Sequence, residues 1–199
     1  MKRVKEQSIE DEEVLEVTIE KSPGFLSDFF RAAVVVGLLL AVTFVILNFV
    51  GQRVSVDGNS MLPMLSNGDQ LLVDKISYRF SEPERYDIVV FELKNDPSTH
   101  YIKRVIGLPG ETVQILDGAI YIDGQVLEES YGLEVIKDAR RASEPIVLGE
   151  DEYFVLGDNR NDSKDSRSPE VGNVNRSQLM GKAFIRIWPI PQIGILRHQ

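Results

Sequence analysis

Hydrophobic positions fall into two regimes along this chain. From Ala32 to Val50, nineteen residues pass without a charge, AAVVVGLLLAVTFVILNFV, so any helix they form is apolar on every side. At about 1.5 Å per residue the run spans roughly 28 Å, the hydrocarbon thickness of a bilayer. A core helix of this kind would need an apolar shell all round, which the rest of the chain can hardly provide. A cleavable leader fits poorly too, because the run starts late and ends in Asn48-Phe49-Val50-Gly51 without a small-residue cleavage site. The pattern predicts a single transmembrane anchor over residues 29–50.

Beyond Gln52 the period shortens to that of strands. Short β-type runs cover 53–56, 70–74, 88–92, 101–106, 112–116, 119–122, 153–156 and 183–188, and Asp117-Gly118 and Asp123-Gly124 mark tight hairpins between them. Residues 128–148 are polar and ambiguous, with room for one short helix. The predicted fold is mainly β: an antiparallel β-rich domain over 51–199, with an inserted smaller subdomain at about 108–150, preceded by one N-terminal transmembrane helix.

Residues 1–28 hold eight acids and four bases with no sustained period, and Ser22-Pro23-Gly24 breaks what there is. This reads as a flexible acidic tail. Lys21 and Arg31 precede the apolar run while only Arg53 closely follows it, with Lys75 the next base, a mild positive-inside signal for a cytoplasmic amino terminus.

The whole chain of 199 residues has 22 Lys and Arg against 31 Asp and Glu, a net charge of −9. That balance argues against nucleic acid as a partner, since phosphate contacts need a basic face. With no cysteine there are no disulfides, thiol nucleophiles or zinc–thiolate sites, and His100 and His198 are too few for a histidine metal centre. Residues 158–163 have the outline of a calcium loop but put Arg160 where an acid is needed and Ser163 at the turn glycine. No metal or cofactor is expected.

Three polar segments remain. Gly58 and Pro63 bracket a bend that presents Ser60, a position where an ordinary turn serine is the commoner finding. Alternation in 101–106 puts Lys103 on a face with Tyr101 and Val105, although most strand lysines reach out to solvent. Gly157 to Arg167 alternates acids and arginines, the usual composition of an ion-paired surface turn. Together these segments resemble the bacterial type I signal peptidases, or leader peptidases. Ser60-Met61-Leu62-Pro63 is similar to that family's serine box and Lys103-Arg104-Val105-Ile106-Gly107-Leu108-Pro109-Gly110 to its lysine box. Gly157-Asp158-Asn159-Arg160 with Ser163, Asp165, Ser166 and Arg167 is similar to its carboxy-terminal box. Gly68-Asp69, Val73-Asp74-Lys75 and Asp87-Ile88-Val89-Val90-Phe91 fit the intervening boxes. The order covers about residues 29–190, anchor first.

The resemblance implies a membrane-bound serine endopeptidase that removes signal peptides from exported preproteins after small residues at −1 and −3. The alternatives are a self-cleaving repressor-type Ser/Lys protease and an inactive membrane-tethered β-rich binding module. Ser60 is implied as the nucleophile, Lys103 as the general base and Ser163 as the residue that orients the amine. The Ser60 N–H would hold the oxyanion; at Gly58, where some members supply a serine hydroxyl, no side-chain donor exists. Asp158 with Arg104, and Asp165 with Arg167, would be structural ion pairs, and Met61 and Leu62 would line the substrate pocket. Met64 and Tyr86 depart from the Thr and Gly usual at their positions. Trp188 to Pro191 is either a membrane-dipping rim or a core tryptophan segment. The implied setting is a bacterial cell membrane crossed once, with the catalytic domain outside the cytoplasm; the implied partners are signal peptides and the lipid bilayer.

Overall fold

The computed structural model describes residues 24–45, 51–94 and 96–196. Helix α1 runs Phe25–Val45. It starts four residues before the predicted anchor, directly after Gly24. Ser27 and Asp28 N–H groups donate to the Gly24 carbonyl, and the Asp28 carboxylate sits favourably at the positive end of the helix dipole. Its stretch Leu26–Phe44 has a mean hydropathy of 1.8 over 19 residues, long and apolar enough to cross a membrane. Residues 46–50 of the predicted anchor and 1–23 of the predicted tail lie outside the described residues.

The remaining residues form two antiparallel sheets. The larger contains β1 (Gly51–Ser55), β2 (Gln70–Asp74), β3 (Ile88–Leu93), β4 (Asp96–Gly107), β9 (Glu152–Leu156), β10 (Val174–Asn175), β11 (Leu179–Trp188) and β12 (Gly194–Ile195), in the order β1-β2-β11-β3-β4-β9-β10 with β12 beside β11. The smaller, β5 (Thr112–Leu116), β6 (Ala119–Ile122), β7 (Gln125–Val126) and β8 (Ile146–Val147), lies between β4 and β9 in sequence and runs β7-β6-β5-β8. Both predicted tight turns form with left-handed backbone at each central residue: φ is 49° and 79° at Asp117-Gly118, and 51° and 78° at Asp123-Gly124. That is the conformation whose twist matches a hairpin. Residues 128–148 hold no α-helix; they carry a 3-10 turn at Arg140–Ser143 and strand β8.

Strand β3 explains its own unbroken apolar run. Ile88 and Val90 face one buried cluster with Met61, Leu65, Val73 and Ile102, while Val89 and Phe91 face another with Val105, Tyr153 and Val155. A strand buried on both faces needs no polar alternation. A third cluster joins the sheets: Ile106, Phe154 and Leu156 of the larger pack with Val113, Ile115, Ile120 and Leu148. Trp188, at the end of β11, is 49% exposed and so is not a core residue.

Phe154 is fully buried at the junction of the two sheets. Phe154→Ala is expected to destabilise the fold by about 3–5 kcal/mol through lost burial and the cavity left behind, read as a lower denaturant midpoint at unchanged slope.

Candidate active site

The turn that carries Ser60 is built from its flanks inward. Strand β1 hands over at Val56, whose N–H donates to Asp69 O and whose carbonyl accepts from Gly68 N–H. Gly58 takes φ +87°, open to glycine at no steric cost, and its N–H donates to Asn67 Oδ1 at 3.0 Å. After Ser60, Leu62 N–H closes onto Asn59 O, while Met61 and Leu65 plug into the core. Ser60 thus sits on a bend pinned at both ends. Among the described residues its own N–H meets no protein acceptor, which leaves it available to an oxyanion.

Lys103 arrives from the middle of β4, in register with Val89 of β3, and is only 3% exposed. Its Nζ lies 2.7 Å from Ser60 Oγ, 2.8 Å from the Ile102 carbonyl and 5.2 Å from the centre of the Tyr101 ring. Burial pushes the amine down from 10.5 to about 8, against the opposing fields of Asp165 and Asp158. Removing a cation's hydration without supplying a carboxylate contact favours its neutral form. In that form the amine can accept the Ser60 hydroxyl proton.

The two carboxylates whose fields oppose this shift are both tied elsewhere. Arg104 Nε and Nη2 donate to the Asp158 oxygens at 2.7 and 2.6 Å, its Nη1 donates to Tyr86 O, and its guanidinium lies 3.8 Å from the Tyr131 ring centre. Burial raises the Asp158 carboxyl above its ordinary value, and the Arg104 guanidinium opposes this. Arg167 holds Asp165 by two bonds of 2.8 Å, and Asp165 Oδ2 also accepts the Gly157 N–H. Tyr86, at the position where glycine is usual, does adopt a left-handed φ of 74°. It is held there by its ring against Tyr131, 4.9 Å between centres, and by its hydroxyl donating to Glu128 O.

Ser163 is buried, but its hydroxyl makes no hydrogen bond. The direct bond to Lys103 implied by the resemblance is not formed: the amine uses Ser60 and the Ile102 carbonyl instead, while Ser163 Oγ rests against Gly157. A Cβ at Gly157 would lie 2.3 Å from that oxygen and 2.4 Å from Ser60 O, so only glycine allows the two segments to meet. Leu62 also departs from expectation. The groove of about 450 Å³ beside the dyad is lined by Val54–Asp57, Ser60, Met61, Thr99–Lys103 and Lys164. Met61 is among them and Leu62 is not, because the turn that buries Met61 carries the next residue past the groove.

Asn159 is the functional residue that the sequence did not single out. Its N–H donates to Ser60 O at 3.0 Å and its Nδ2 to Asn59 O at 3.2 Å, gripping the backbone at Ser60 from the 157–160 turn. Its place in the Gly-Asp-Asn-Arg run was the available signal; its contacts to backbone atoms were not. Among the described residues no three His, Asp or Glu side chains converge in a way that would hold a metal ion.

Comparison with known proteins places the whole chain rather than its individual side chains. A family model described as "Signal peptidase, peptidase S26" matches residues 29–188. A signal peptidase I of Leptolyngbya laminosa is 42% identical over 168 residues, which cover 81% of this chain and 80% of that one. A signal peptidase I of Bacillus licheniformis is 34% identical over 89% of this chain and 98% of its own. A crystal structure of a signal peptidase I from Enterococcus faecalis V583 is 33% identical with a TM-score of 0.43, covering 51% of this chain and 97% of that one. With the family match running over residues 29–188, which include every segment of the site, this chain belongs to the S26 signal peptidase family.

Proposed function

We propose that this chain is a membrane-bound signal peptidase I that cleaves signal peptides from exported preproteins, with Ser60 as nucleophile and Lys103 as general base. The reading rests on one observation, the 2.7 Å contact between Ser60 Oγ and the buried Lys103 amine. As Oγ attacks the scissile carbonyl, its proton passes to Nζ, and the oxyanion forms at the Ser60 N–H. The Lys103 ammonium then gives that proton to the leaving amine, leaving an acyl-serine. Water, deprotonated by the same amine, hydrolyses the ester and restores the hydroxyl. The protonated amine has three N–H donors. Ser60 and Ile102 receive two of them, and Ser163 is the acceptor proposed for the third, which gives its unpaired hydroxyl a part in the charged state of the dyad. Asp158 with Arg104, and Asp165 with Arg167, hold the walls of the site.

Substrate fits the groove as an extended strand. β1 is an edge of its sheet, and a peptide laid along it can add backbone hydrogen bonds while alternate side chains enter pockets. Met61, Ile102, Val54 and Val56 give the otherwise polar lining apolar patches, suited to small residues at −1 and −3. Helix α1 is proposed to cross the bacterial cell membrane once, amino terminus in the cytoplasm and catalytic domain outside. Trp188, Ile190, Ile193 and Ile195 are exposed large apolar residues, proposed to touch the bilayer as interfacial side chains do.

Ser60→Ala and Lys103→Ala are each expected to reduce cleavage of an Ala-x-Ala precursor by about 10⁴-fold or more with melting temperature retained; near-wild-type cleavage by either one would sink the dyad. Because the base works only when neutral, kcat is expected to rise about tenfold per pH unit up to about 8 and level off above it. A profile flat from pH 5 to 9, with chemistry rate-limiting, excludes Lys103 as the base.

A further inference from the structure

We propose that Glu129 is a positioning residue for the nucleophile, acting through Arg160 on the turn that grips Ser60; this rests on the Ser60–Lys103 reading above. Glu129 belongs to the segment between β7 and β8, and touches neither member of the dyad. Its carboxylate accepts both Nη groups of Arg160, at 2.7 and 2.8 Å, with side-chain exposures of 11% and 2%. The third edge of that guanidinium, Nε, donates to Gly157 O at 3.0 Å. Glu129 is itself aimed by the Tyr131 N–H, which donates to Oε2 at 3.1 Å. The chain of contacts therefore runs from the inserted segment, through a two-pronged charged bond, to the first carbonyl of the 157–160 turn.

That turn has little freedom. Asn159 holds the carbonyls of both Asn59 and Ser60, and Gly157 meets Ser60 O so closely that no Cβ fits. Charge-assisted forked bonds fix orientation as well as distance. Without Glu129 the buried guanidinium is uncompensated and must find another partner, drawing its Nε away from Gly157. The displacement is passed to Ser60, where an error of about 1 Å can lower the rate about 100-fold.

The test uses the full chain in detergent and a labelled precursor with an Ala-x-Ala site, comparing E129Q, R160K and the double variant with wild type and S60A. Active sites are counted by titration with an acylating serine reagent, so that poorly folded molecules do not enter kcat. Glu129→Gln is expected to lower kcat per titrated site at least tenfold with KM within twofold. Arg160→Lys keeps the charge opposite Glu129 but loses the Nε–H on Gly157, and is expected to fall by a similar factor. The double variant should be no slower than the slower single one, as residues in one chain of contacts behave. If E129Q or R160K melts lower yet keeps wild-type kcat per site while S60A is inactive, the role is structural and this proposal fails alone. An active S60A overturns the dyad, and the proposal with it.

Discussion

Everything at this site depends on keeping one amine dry. Moving the Lys103 amine from 10.5 to about 8 disfavours the folded state at neutral pH by about 3 kcal/mol. The sign is that of a depressed base. The unfolded chain holds the proton more tightly, so the penalty is full below pH 8 and fades as pH climbs from about 8 towards 10.5. A protein of ordinary stability has only about 5–15 kcal/mol in hand, so the expense must be met by the surrounding packing. The arrangement around Lys103 follows from that: two strands buried on both faces, an aromatic ring beside the amine, and no carboxylate in direct contact with it.

The acids nearby could have undone this. Asp158 and Asp165 both favour the charged amine, and either one in direct contact would return the lysine to its ordinary protonation state. Arg104 and Arg167 prevent that by occupying their oxygens in forked geometry. The arginines of this region thus perform an electrostatic task that composition alone makes look like a surface ion-pair lattice. They also draw the inserted segment into the site. Arg140 donates to Ser163 O and Ser168 Oγ, and Arg141 to Ser166 O, so the loop that faces the dyad is held from the smaller sheet's side.

How much of this could be read from sequence varied with the physics involved. Strands of four or more residues with a clear apolar pattern were legible, and β2, β5 and β6 begin and end as predicted. The two-residue strands β7, β8, β10 and β12 were not, because two residues carry no period. Strand β4 starts at Asp96 rather than Tyr101, its early part being too polar for a core strand since it borders the groove. Side-chain chemistry was the legible part of the site: Ser60, Lys103 and the paired acids stand in recognisable boxes. Backbone contacts were not legible, which is why Asn159's grip and the need for glycine at 157 emerge only from coordinates. The Ser163 hydroxyl illustrates the limit from the other side, as a residue placed by its motif whose bond is absent in this arrangement.

The dyad joins residues separated by 43 positions, and the turn that secures Ser60 comes from further along still, beyond the whole smaller sheet. None of these contacts is local, and non-local contacts form late in folding. A nascent chain emerging with Ser60 and even Lys103 in place therefore has an ordinary hydroxyl and an ordinary, fully charged lysine. On the proposed Ser60–Lys103 reading, reactivity requires β9 and the 157–167 loop to meet the strands that precede them. On that reading latency comes with the fold itself, because a lysine still in water stays charged.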